Sequence, residues 1–271
     1  MVRASIAAEK AGVPAVSIAS TGFLGEARAI AKAAGLPDLP VAEYPGVILT
    51  DSKETLLKKV EELIVDRIVK GLATPVKAAP QGREPGPRDI VFKGTLDDVH
   101  RFFYRNLWTD GLPVIPPTIS RVEQFLRFTD HNPEEVIGVL PPETRQATVW
   151  NVAVNGVMAG CRPEYMPILL AAVSAVADPV FRLEDAGSTP GWEPLIILNG
   201  PVIKELDFNY DAGVMRVGRQ ANTSIGRFLR LYMRNVAGLR IPPGQTDKAT
   251  ISYTFNVVLP ENEDAVAEMG W

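Results

Sequence analysis

The chain has 271 residues and a formal charge of −4, and hydrophobic residues make up 46% and charged residues 22% of it. This composition is ordinary for a globular protein and excludes a disordered chain, a collagen-like repeat and a disulfide-rich scaffold. The acidic balance argues against nucleic acid as the main partner, and one cysteine with two histidines excludes a classical zinc cluster built within the chain.

The first 74 residues alternate helical and extended patterns. Helices are predicted at about 1–12, 24–34 and 53–70, and the apolar run at 13–20 is typical of a buried parallel strand. This predicts an α/β fold containing part of a doubly wound, Rossmann- or flavodoxin-like unit. Because so short a parallel sheet cannot cover its own faces and edges, we expect a second protein chain to supply the missing N-terminal half-sheet.

Residues 75–89 are proline-rich and charged without periodicity, which predicts a linker between a domain of residues 1–74 and a domain of residues 90–271. The second domain is predicted to be a helix-rich α+β domain. Its elements are predicted helices at 96–108, 119–128, 150–159, 163–177 and 225–236, a connection at 133–142, and strands at 195–200 and 249–260.

No segment approaches the roughly 18 consecutive apolar residues of a membrane-spanning helix, and the N-terminus lacks the apolar run of a secretory signal. A single cysteine cannot form an internal disulfide, which fits a reducing compartment. We therefore expect a cytoplasmic protein without a membrane partner.

Cys161 lies in the sequence MAGCRPEYMP, where Pro163 suits the first turn of a helix. A thiol beside a helix N-terminus and Arg162 is expected to have a lowered pKa, so Cys161 is a candidate catalytic nucleophile. Glu164 is then the candidate proton acceptor, and Tyr165 could orient the substrate. In the alternative interpretation, Cys161 fills a helix–helix corner as a small apolar residue.

Asn151 and Asn155 are four residues apart and share one face of an otherwise apolar helix. Because buried amides need hydrogen-bond partners, the pair predicts either a substrate-binding pocket or a structural hydrogen-bond network at a subunit interface.

Arg227, Arg230 and Arg234 form a basic stripe on the predicted helix that follows the sequence QANTS. The segment containing Asn222 would supply cap oxygens and free N–H groups at the helix N-terminus, where anions bind. Arg227 and Asn222 are therefore candidate substrate-binding residues. Arg230 and Arg234 are interpreted as a solvated or carboxylate-paired face.

Asp110 lies in the sequence WTDGLP and is a candidate general base or orienting residue, with a plain turn role as the alternative. His100 and His131 have no partners at catalytic or metal-ligand spacing, so both are interpreted as structural and no metal site is predicted. The glycine-rich motifs of dinucleotide and nucleotide binding are absent, so these two functions have no local support, and the sequence does not name a cofactor.

Residues 4–45, from ASIAAEKAGVPAVSIAS to AAGLPDLPVAEYP, resemble the later half of the UGSC-type (seleno)protein domain. In that family a strand ends in a Sec/Cys-Gly-Ser-Cys loop, which resembles a thiol or selenol redox motif. Residues 107–260 resemble the C-terminal domain often joined to it, through LWTDGLPVIPPT, VAVNGVMAGCRPEYMP and ANTSIGR. This sequence begins after the position of the loop, and residues 186–194 lack the histidine of a TTHP-like segment typical of that domain.

The resemblance and the candidate residues lead to one main hypothesis. The chain is expected to be a subunit of a small-molecule enzyme that uses thiol-dependent redox or lyase chemistry at a pocket in its C-terminal domain, completed by a partner chain. The alternatives are a non-catalytic scaffold that completes the sheet of an active partner, and a hydrolase or hydratase that uses the Asn/Arg pocket or a metal supplied by the partner.

Overall fold

A computed structural model of the chain describes residues 2–77, 86–141, 144–183, 192–239 and 256–270. The chain divides into two compact units, residues 1–84 and 85–271. The described part combines helices with three two-stranded sheets, a mixture that agrees with the predicted α/β class. The finer domain boundaries remain predictions, and residues 78–85 of the predicted linker lie outside the described residues.

The N-terminal unit is built on one parallel pair of strands, β1 (Ser17–Ser20) and β2 (Val41–Tyr44), with Ser17 opposite Val41. One apolar cluster surrounds Ile6 and Ala31, and a second surrounds Tyr44 and Ile64. The helical segments of this unit are α1 (Val2–Lys10), α2 (Leu24–Ala33), α3 (Lys53–Lys59), a π-helical turn (Val60–Ile64) and α4 (Val65–Leu72).

The predicted strand at 13–20 is shorter in the structure, because the Val13 N–H donates to the Ala8 carbonyl and closes the end of α1. Val13 is consequently 56% exposed, and strand pairing begins only at Ser17.

The C-terminal unit holds the larger core, in which α7, α8 and α10 pack together. The sequence VWNVAVNGVMA of α7 is apolar on most sides and is buried over most of its length, as expected for a central helix. The elements of this unit are α5 (Leu96–Arg105), α6 (Ile119–Leu126), β3 (Val136–Leu140), β4 (Arg145–Thr148), α7 (Val149–Ala159), α8 (Met166–Ala177), β5 (Ile196–Leu198), α9 (Val202–Glu205), α10 (Gln220–Tyr232), a π-helical turn (Met233–Ala237), β6 (Val258–Pro260) and α11 (Glu263–Glu268).

Two predicted elements of this unit are corrected. The predicted connection at 133–142 contains β3, whose main chain forms an antiparallel pair with β4 and which also packs against α8. Helix α10 begins at Gln220 and not at Ile225. Of the predicted strand at 249–260, residues 249–255 lie outside the described residues, and β6 is paired in parallel with β5. None of the helices in the described ranges is long and apolar enough to cross a membrane.

Candidate functional site

The turn that follows α5 is formed by residues 107–113 and is called the 107–113 turn below. Leu107 has a left-handed backbone with φ of 59°, and Gly111 takes a φ of 90°. The Thr109 hydroxyl accepts the Gly111 N–H at 2.8 Å and donates to the Leu112 carbonyl at 2.9 Å. The DG sequence therefore folds as a tight turn stabilised by its own threonine.

Asp110 and Arg227 form an ion pair that joins this turn to α10. Arg227 donates through Nε to Asp110 Oδ2 at 2.8 Å and through an Nη to Oδ1 at 3.0 Å, and it also donates to the Pro113 carbonyl at 2.8 Å. The side chains are only 3% exposed for Asp110 and 15% for Arg227. Such a two-pronged, shielded contact is the strong form of an arginine–carboxylate pair. The structure thus brings together two predicted site residues that lie 117 positions apart.

Two further residues at the end of α10 hold the same turn. Arg234 donates through Nε to the Leu107 carbonyl at 2.8 Å, and Asn235 donates to the Trp108 carbonyl at 3.2 Å. Asn235 lies in the π-helical turn, which shifts the side-chain register relative to an α-helix. The sequence predicted a solvated or carboxylate-paired face for Arg234 and no role for Asn235, because neither residue carries a local signal for a main-chain contact this distant.

The predicted asparagine pair ties helices together instead of lining a cavity. Asn155 is buried, accepts from Asn235 at 2.9 Å and donates to the main-chain carbonyl of Asn151 at 2.9 Å. The Asn151 amide donates to the Gln146 carbonyl at 3.4 Å. This arrangement matches the structural network that the sequence left open as an alternative, although it lies within one chain.

The predicted cap at Asn222 is corrected. The N-cap of α10 is Arg219, without a side-chain cap bond, and Asn222 lies inside the helix and is buried. Its amide accepts from the Asn209 N–H and donates to the Asn209 carbonyl, both at 2.9 Å. The Asn222 side chain is therefore bonded to the main chain of Asn209 and does not cap the start of α10.

The predicted lowering of the Cys161 pKa is also corrected. Cys161 is buried, and its thiol donates to the Ser224 carbonyl at 3.3 Å. Burial raises the pKa of this thiol to about 12, because desolvation of a thiolate outweighs the opposing attraction of Arg227. At neutral pH the group is therefore a protonated thiol inside the core.

Glu164 and Tyr165 lie in a short 3-10 turn after Cys161. Arg162 lies between them, with its Nε 3.4 Å from a Glu164 carboxylate oxygen and its guanidinium 5.4 Å from the Tyr165 ring centroid. Tyr165 is 1% exposed and packs near Phe208, and burial raises the pKa of its hydroxyl. Among the described hydrogen bonds, none joins Glu164 to Cys161.

A groove of about 280 Å³ runs between the outer face of α5 and the 107–113 turn. The α5 side carries Arg101, Tyr104 and Arg105, and the turn side carries Leu112 and Pro113. In the sequence, this face is indicated by polar residues spaced along α5 opposite its buried Phe103. None of these residues was among the predicted site residues.

His100 closes one end of the groove. Its Nε2 donates to the Val114 carbonyl at 2.9 Å. This bond holds the segment that follows the 107–113 turn against α5. The interpretation of His100 as a structural residue agrees with this contact. His131 lies apart, 3.0 Å from the Glu135 carboxylate.

The described residues contain no group of three or more His, Cys, Asp or Glu placed to hold a metal ion. Residues 1–74 match the model of the UGSC family, a match that is consistent with a UGSC-type domain in this segment. A search of curated proteins and a search of solved structures found no match for the chain.

Proposed function

From the UGSC match of residues 1–74 and the geometry of the 107–113 turn, we propose that this chain is a subunit of a small-molecule enzyme. The C-terminal unit binds the substrate in the groove beside the turn. The N-terminal unit joins a partner chain, and the reaction is thiol-dependent redox or lyase chemistry. We further propose a cytoplasmic location, which the lone cysteine favours.

One observation carries the proposal, namely that α10 fixes the main chain of the 107–113 turn at several points. Arg227, Arg234 and Asn235 together bind the carbonyls of Leu107, Trp108 and Pro113 and the carboxylate of Asp110. Holding a leucine at positive φ costs on the order of 1 kcal/mol. Such strain persists where the surroundings over-determine it, which is common at binding sites.

Two features of the N-terminal unit support the proposal of a partner chain. A parallel pair of four-residue strands is small for a sheet type that is normally covered on both faces. Several large apolar side chains of this unit are exposed, among them Leu49 at 95% and Val69 at 61%. We propose that the partner adds strands to the β1–β2 pair and completes a doubly wound sheet.

The reactive sulfur is proposed to come from the partner. The sequence has one cysteine, and burial keeps its thiol protonated at neutral pH. The UGSC resemblance implies a Sec/Cys-Gly-Ser-Cys loop, and such a loop on the partner would bring a thiol or selenol to the site.

A non-catalytic scaffold is the second candidate. It is favoured by the fact that Asn155, Asn222 and Arg227 already have protein partners for their polar groups. In a scaffold these contacts serve only stability. An enzyme subunit must in addition bind its substrate, which is the role proposed for the groove.

The test uses the complex isolated with the tagged full-length chain. Depletion of small molecules from a metabolite extract is followed by mass spectrometry, for complexes that contain the wild-type chain or Arg227→Lys. Lysine keeps the charge but cannot bind both carboxylate oxygens and the Pro113 carbonyl, so we expect turnover to fall at least tenfold. Cys161→Ser is the matched control and should retain turnover.

Three outcomes would contradict the enzyme-subunit proposal. Turnover that is unchanged in Arg227→Lys, or that the partner alone reproduces, would instead favour the scaffold. The shared sheet would be contradicted if no partner is recovered with the chain under native conditions, for the wild type, Leu49→Lys and Val180→Lys alike. Val180 is 87% exposed in the other unit and controls for the added charge.

A further inference from the structure

The groove beside the 107–113 turn has a chemical character that narrows its ligand, and this step rests on the proposed function. Its turn side is apolar, with Leu112 48% exposed, and its helix side presents the ring of Tyr104, which is 65% exposed. Exposed apolar surface gains free energy when a ligand covers it.

The rim of the groove is cationic. Arg101 and Arg105 lie four residues apart on the same face of α5. Arg101 already pairs with Asp98, an exposed ion pair. In the described part of the chain no ion pair or side-chain hydrogen bond involves Arg105. Arg105 therefore has its guanidinium available for an anionic ligand.

The turn disfavours a phosphate group. Phosphate sites commonly use several free main-chain N–H groups. Here the Gly111 N–H binds the Thr109 hydroxyl, and the Leu112 N–H binds Asp110 Oδ1 at 3.3 Å. A carboxylate needs only the planar fork of one guanidinium.

The walls of the groove are held in place before any ligand binds. Trp108 packs edge-on against Phe102 at 5.6 Å and Phe103 at 5.5 Å between ring centroids, and these rings lie behind the groove on the core side of α5. Together with the contacts from the π-helical turn and α10, this leaves little main-chain entropy to be lost on binding.

We infer that this groove binds a small monocarboxylate with an apolar body, with the carboxylate on Arg105 and the body against Tyr104, Leu112 and Pro113. Arg101 adds long-range attraction. The substrate of the proposed enzyme is thus an organic acid of modest size.

The test uses the full chain and two probes that differ only in charge, 3-phenylpropionate and 3-phenylpropionamide, titrated by protein NMR. We expect the carboxylate to shift the amide signals of Tyr104, Gly111 and Leu112 and to bind at least tenfold more tightly than the amide. Arg105→Gln should remove this preference and leave the affinity for the amide unchanged. Arg121→Gln, which removes an exposed arginine from α6, is the matched control and should bind like the wild type.

Equal affinity for the two probes, or an unaltered preference in Arg105→Gln, would overturn this ligand class. So would NMR shifts that map away from the groove, or inorganic phosphate that binds as tightly as the carboxylate. Failure of 3-phenylpropionate to bind would do the same. These results leave the enzyme-subunit proposal standing, because its failure appears separately, as turnover that does not respond to Arg227→Lys.

Discussion

Position 161 shows why a residue's neighbours in sequence are a poor guide to its electrostatics. Arg162 and the following helical turn both favour a thiolate, and that is all the local sequence contains. The apolar core that buries this thiol is formed by residues distant in sequence, and desolvation of the thiolate by that burial dominates its pKa. Asp110 and Arg227 show the same limit, since each was a candidate by type while their pairing could not be read from a local pattern.

The raised pKa of Cys161 makes stability depend on pH in alkaline solution. The pKa rises from 9.0 to about 12 on folding, so above about pH 9 the unfolded chain loses the thiol proton while the folded chain keeps it. The free energy of unfolding therefore falls as pH rises between these values. From pH 8 to pH 10 the thiol should contribute a loss of about 1.4 kcal/mol.

Urea denaturation of the wild type and Cys161→Ser at both pH values isolates this contribution, because all other groups titrate alike in the two proteins. We expect the variant to lose less stability on going to pH 10. Iodoacetamide should label Cys161 at pH 8 only after unfolding. Parallel pH profiles, or rapid labelling of the native protein, would show that the thiol is accessible.

Among the elements, helices were predicted best, since amphipathic spacing along α4, α5 and α6 is a local property. The start of α10 was missed by five residues, because Asn222, Thr223 and Ser224 resemble a cap by type. Asn222 can lie within the helix only because Asn209 supplies both partners for its amide. Strand β3 was missed because its partner β4 lies across a turn and its apolar run is short.

Close packing of α7 depends on Gly156, where an added Cβ would lie 2.7 Å from the Phe125 ring and 2.9 Å from a Leu169 methyl. Gly156→Ala should therefore force α6 and α8 away from α7 and cost about 1–3 kcal/mol. Gly25 is exposed near the start of α2 and has no heavy atom within 4 Å of the same position, so Gly25→Ala is expected to stabilise by up to about 1 kcal/mol.

Urea denaturation of the two glycine variants gives the two changes in unfolding free energy. The pair is informative because both substitutions add the same methyl group and raise helix propensity. A Gly156→Ala protein as stable as the wild type would mean that α7 tolerates a wider separation from its neighbours.

On the scale of the whole molecule, composition and periodicity predicted the α/β class. They predicted the size of the apolar core for the C-terminal unit better than for the N-terminal unit. The apolar α7 and α8 sequences indicate a buried centre in the C-terminal unit, and the structure has one there. The N-terminal unit has only two small clusters. The sequence pattern of this unit favours a partner that adds strands, as proposed above, and does not predict the partner's identity.

This difference in core size predicts an uneven distribution of stability along the chain. Main-chain amides in α7, α8 and α10 lie within the large apolar core, so they should exchange with solvent only through unfolding of that core. Amides of β1 and β2 lie in a single four-residue parallel pair, and we expect them to exchange through local opening of much lower free energy. Hydrogen exchange of the full chain, followed by mass spectrometry, measures both sets in one sample. Addition of the partner should slow exchange in β1 and β2 and leave α7 unchanged, because new strands would cover the first pair alone. Equal protection of both units in the isolated chain would contradict this prediction and remove the physical reason for a shared sheet.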